Sequence, residues 1–246
     1  MPTPVRAYQL EDTGGSGTAS GTVDTAGGDL LLVLVDSRGI GALSATWDGT
    51  SMGTADIAYF LNGATEQPMS VFHVYAPSGS HTVAATGNPW IQAWAIVLSG
   101  AHQTAFLGDQ DFVETADADA ANGLTSSTIT PTNNNLCITF YASKFGMSDP
   151  PVASPNSGGT AFTVSAGNNP DTLMDSGQRQ AGGIAYRTGF TSGTMGWDWT
   201  SDTNVGGAPA GLITFEVKAA AGGAAIAPAP HLTESQRPFN MQAGRR

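Results

Sequence analysis

A chain of 246 residues with 32 Gly, 14 Pro, one Cys, 12% charged residues and a formal net charge of −11 is long enough to bury a core. It is not Gly- and Pro-rich enough to read as collagenous or low-complexity. The single Cys137 rules out an internal disulfide. With only two lysines, Lys144 and Lys218, it has no broad basic surface to neutralise phosphates, so nucleic acid is not an expected partner.

Residues 1–19 read as an N-terminal lead-in segment that lacks the apolar core of a signal peptide. Gly14, Gly15, Gly17 and Gly21 do not read as a phosphate cradle, because no helix follows whose N-terminus would receive the anion. Short apolar or alternating runs come next, at 30–35, 43–47, 57–61, 69–76, 81–85 and 90–98. A second set lies at 136–141, 162–165, 184–190, 195–199 and 212–217. Each run is closed by turn chemistry such as Asp48-Gly49, Asn62-Gly63, Pro77-Ser78-Gly79 or Asn122-Gly123, the signature of many short strands. The longest aliphatic run, 30–35, is too short to cross a bilayer. A soluble product made in the host cytoplasm, with no membrane partner, is therefore expected.

The two sets of runs resemble a degenerate duplication. Gly28-Asp29-Leu30-Leu31-Leu32-Val33 matches Asn134-Asn135-Leu136-Cys137-Ile138-Thr139, and the run ending at Leu98 matches the one ending at Val217. Two halves of four or five strands each predict an all-β fold, an antiparallel two-sheet jelly-roll-like β-sandwich over 20–218. After it the composition changes to an Ala/Gly/Pro linker and a basic arm at 219–246. Residues 1–218 carry 6 basic and 19 acidic groups, a net −13, whereas 219–246 carry 3 basic and 1 acidic, a net +2.

Three segments carry a resemblance. Leu43-Ser44-Ala45-Thr46-Trp47-Asp48-Gly49-Thr50-Ser51-Met52, Ser70-Val71-Phe72-His73-Val74-Tyr75-Ala76-Pro77-Ser78-Gly79-Ser80-His81-Thr82-Val83 and Ala95-Ile96-Val97-Leu98-Ser99-Gly100-Ala101 resemble a β-sandwich module of bacteriophage structural proteins and bacterial surface proteins. The likeness is strongest over 28–108 and weaker over 134–218. It implies a display or assembly role and brings no catalytic residue with it.

Candidate chemistry is sparse. Gly49-Thr50-Ser51-Met52-Gly53 has the spacing of a nucleophile elbow, but a strand-like run follows where that turn needs a helix, so a hairpin turn is the expected reading. Five carboxylates within 109–119 could in principle face Ca²⁺. They match no EF-hand spacing, and a solvated crossover loop between the halves is expected. His73 and His81 read as strand residues without metal-ligand spacing, and Cys137 as a buried thiol. No cofactor or metal is expected. Trp197 and Trp199 share a strand face by alternation; core positions are the expected reading, and they are the candidates for stacking on a glycan should they be exposed.

The expectation is thus a non-enzymatic phage virion component, a capsid decoration or cement protein. It would associate with itself, as a trimer, and with the major capsid or other virion proteins. Arm residues Arg237, Phe239, Met241, Arg245 and Arg246 would dock on a neighbouring subunit. The alternative is a glycan-binding or host-adhesion module of a tail fibre or surface protein.

Overall fold

The computed structural model describes residues 1–12, 17–37, 39–61, 67–76, 78–88, 91–116, 123–132, 135–143, 154–156, 158–161, 181–198 and 209–220. Among them there is no helix. The first half contains β1 (Thr3–Asp12), β2 (Thr18–Thr25), β3 (Asp29–Ser37), β4 (Ser44–Trp47), β5 (Thr50–Ser51), β6 (Ile57–Phe60), β7 (Pro68–Ala76), β8 (Gly79–Thr86) and β9 (Ile91–Ser99). The second contains β10 (Leu107–Thr115), β11 (Gly123–Thr125), β12 (Leu136–Ser143), β13 (Ser154–Asn156), β14 (Thr160–Ala161), β15 (Ala181–Arg187), β16 (Gly196–Asp198) and β17 (Ala210–Val217).

Pairing is antiparallel throughout and nested. In the first half β1 pairs with β9, β2 with β8, β3 with β7 and β4 with β5. The second half repeats the pattern, β10 with β17, β11 with β16 and β12 with β15. Nested hairpins of this kind are the winding of a jelly roll, and the antiparallel β-sandwich expected from the sequence is observed. Its layering is richer than one pair of sheets, because each half is wound as a sandwich of its own.

In the first half a nine-stranded ladder runs β5-β4-β8-β2-β1-β9-β3-β7-β6. It folds over at β1, which pairs with β9 along Thr3–Leu10 and with β2 through Glu11 and Asp12. An outer sheet (β2, β8, β4, β5) thereby faces an inner sheet (β1, β9, β3, β7, β6). Val23, Ala45, Val83 and Ala85 from the outer sheet meet Leu31, Val33, Val35, Ala93, Ala95 and Val97 from the inner one. The second half has an inner sheet ordered β10-β17-β12-β15-β14 and an outer sheet ordered β11-β16-β13, with Leu124, Tyr141, Trp197 and Leu212 between them.

The two inner sheets pack back to back. Leu30, Leu32, Leu34, Trp94, Ile96 and Leu98 meet Leu136, Ile138, Phe140, Ile213, Phe215 and Val217 in one core. Trp94 sets its edge against Phe140 at 5.5 Å and 67°, an arrangement worth about 0.5–1.5 kcal/mol beyond the area it buries. Strands β3, β12 and β17 are buried along their whole length because both of their faces are covered. That is why they read as continuous apolar runs and not as alternating ones.

Two expectations are corrected here. The lead-in segment 1–19 is instead occupied by β1 and the start of β2, so the body begins at Thr3. The stretch from 109 onward does not open as a crossover loop: through Thr115 it is strand β10, the first strand of the second half. The run at 162–165 lies outside the described residues.

Candidate functional site

Trp197, one of the two candidates for sugar stacking, does not lie at the surface. Trp197 is fully buried between the sheets of the second half, its ring 5.4 Å from Tyr141, so it cannot stack on a glycan. The physical reason is its register: it pairs with Leu124 on one side and Pro155 on the other and points into the core. Trp199 lies outside the described residues, as do Arg237, Phe239, Met241, Arg245 and Arg246.

Both strand histidines are held by aspartates, a pairing that sequence spacing did not reveal. His73 Nδ1 is 2.7 Å from Asp56 Oδ2, with Phe106 and Tyr75 against its ring. Burial, and then the Asp56 charge, push the Tyr75 hydroxyl above its ordinary pKa. His81 Nδ1 is 2.7 Å from Asp48 Oδ2, and its ring lies 3.9 Å from that of Trp47. The hydrogen bond from His81, and then the one from the Thr82 amide, hold the Asp48 carboxyl below the usual carboxylate range. Strand β7 belongs to an inner sheet and β8 to an outer one, so the turn between them crosses between sheets and separates the two histidines.

Among the described residues of the second half Glu216 is the most enclosed carboxylate, 2% exposed. It accepts the Thr132 amide at 2.9 Å, the Thr132 hydroxyl at 3.0 Å, the Asp109 amide at 3.0 Å and the Asn135 side-chain amide. Gly108 lets it approach, since a Cβ there would collide with the carboxylate. Asp109 and Asp111 likewise spend their oxygens on the Thr130 and Ser127 amides, at 2.9 and 2.6 Å. These acids hold the backbone of 126–132 against β10. Among the described residues no group of three or more His, Cys, Asp or Glu converges as a metal site.

Ser51 lies in the β4–β5 hairpin and accepts the Gly53 amide at 3.1 Å, as expected for a turn. Asp48 and Gly49, between those strands, both have positive φ, 45° and 76°. Cys137 is fully buried with Ile129, Phe190 and Met195. Burial, and then the charges of Glu216 and Asp109, push its thiol up to about 12, which removes it from thiolate chemistry at neutral pH.

The root of the C-terminal arm is tied to the body. Ala101 and Ala219 form an isolated antiparallel bridge. The His102 amide donates to Lys218 O at 2.9 Å, the Lys218 amide to Phe106 O at 2.6 Å and the Ala220 amide to Gly100 O at 2.9 Å. The linker between the halves and the root of the arm therefore run side by side. This exit and Glu216 with its donors are both organised by side-chain and main-chain groups that hold backbone. Compared with protein-family models, curated proteins and solved structures, the chain matches none.

Proposed function

We propose that this chain is a non-enzymatic structural component of a phage virion, a capsid decoration or cement protein that works by association. The observation that carries the reading is the charge contrast across Lys218: a body of net −13 meets a tail of net +2 whose root is fixed to that body at Ala219 and Ala220. A basic arm that carries Phe239 and Met241 and follows an acidic body is suited to docking on the acidic body of a neighbour. Oligomerisation as a homotrimer, contact with the major capsid protein, and location in the virion after synthesis in the host cytoplasm belong to the same proposal. The glycan alternative loses Trp197 as a stacking platform.

The test compares the full chain with one ending at Ala220, by light scattering and by co-sedimentation with virus-like shells that lack the protein. The expected result is that the shortened chain keeps its β-sheet spectrum but neither oligomerises nor binds shells. If both forms are identical monomers that ignore shells, the reading is wrong.

A further inference from the structure

The pairing registers of the two inner sheets map onto each other as by an internal two-fold. Aligning Leu30 with Leu136, the register makes Ala142 the counterpart of Asp36. Asp36 lies opposite Met69 and Gln92, and Ala142 lies opposite Gly182 and Gly211. Met69 thus corresponds to Gly182, and Gln92 to Gly211. The contacts obey the same operation, because Gly182 lies against Gln92 and Gly211 against Met69. One contact is the two-fold image of the other, and at both the first half supplies the bulk and the second half supplies glycine.

Neither glycine has a positive φ, so conformation does not call for it. Space does. A Cβ at Gly182 would lie 2.7 Å from Gln92 Oε1 and 2.7 Å from Trp94 Cη2. A Cβ at Gly211 would lie 2.9 Å from Met69 Sδ and would also collide with Leu61. Two first-half faces brought together by this operation would press Met69 into Gln92 at both points. Two second-half faces would set glycine against glycine and leave voids. Overpacking and voids both destabilise.

We propose that Gly182 and Gly211 are specificity notches that make the second half's inner face the partner of the first half's, while like does not pair with like. Contacts between copies of the chain therefore use surfaces other than these two faces. The inference is independent of the virion reading.

The test is a reversed key in the full-length protein. G182M/G211Q gives the second half the first half's side chains. It is expected to lower the thermal midpoint by about 10 °C or more and to raise binding of an apolar dye. Adding M69G/Q92G moves the notches to the first half and is expected to recover more than half of the lost midpoint. Should the four-fold variant be no more stable than G182M/G211Q, the proposal fails. If G182M/G211Q does not fold, the gentler cycle of G211A with M69A decides. The pair is expected to lose at least about 3 °C less than the sum of the two single losses, and simple additivity overturns the proposal.

Discussion

Asp48 holds the left-handed position of the β4–β5 hairpin and, from there, accepts the Thr82 amide at 2.8 Å and the His81 ring. Its carboxyl is held below the ordinary value of about 3.9, so on acidification the unfolded chain takes up this proton before the folded one does. The stabilisation is therefore complete above pH of about 4 and is lost as pH falls through the lower, folded value. Urea midpoints measured from pH 6 to pH 2.5 should fall less steeply for Asp48→Asn than for the parent, and parallel curves would contradict the assignment. At this scale the sequence was half legible. Asp48-Gly49 announces a turn, because an aspartate tolerates positive φ and a glycine favours it. The histidine it holds lies 33 residues away, and that pairing exists only once β4 and β8 lie side by side.

Strand β17 shows what an element adds to its residues. Its apolar alternates face the other half, while Glu216 within the run collects donors from Asp109, Thr132 and Asn135. It thereby ties β10 and the start of β12 to one strand. Glu216→Ala leaves the buried Asn135 amide and the part-buried Asp109 and Thr132 donors without their acceptor, at a cost of about 3 kcal/mol, and should lower the thermal midpoint by about 6–12 °C. Glu216→Gln, which keeps the shape but turns an amide toward donors, should fall in between. A midpoint unchanged in Glu216→Ala would show the cluster to be energetically idle. Strands β3, β9, β12 and β17 were legible as apolar runs because they are covered on both faces. Strand β1 was not, since Pro4 and a register shift between Pro4 and Arg6 break its alternation and leave Val5 half exposed. Strand β10 was hidden by its acids, whose carboxylates replace apolar burial with hydrogen bonds to backbone. Glu216 itself stood in plain view as a charge inside Leu212-Ile213-Thr214-Phe215-Glu216-Val217, but its partners come from distant segments.

Across the whole molecule the nested pairing of the first half recurs in the second, while the layering was not readable in the sequence. Runs such as Leu30–Val35 and the one ending at Val217 fit equally well one sandwich with a deep core or two sandwiches sharing a face. Only the pairing register distinguishes them. Because the largest core is assembled from both inner sheets, neither half has its complete interior without the other. Calorimetry should therefore record one unfolding transition with calorimetric and van't Hoff enthalpies in agreement, and two resolved transitions would show that the shared face is dispensable. The fixed exit at Ala220 has one more consequence. Gly100, which accepts the Ala220 amide, also lies against the Met1 carbonyl, so the first residue and the end of the body emerge at one spot. A short bridge between them would close the body into a ring. The backbone could then be opened instead at the exposed β4–β5 hairpin, giving a circularly permuted chain with the same four layers and its arm carried on a different edge.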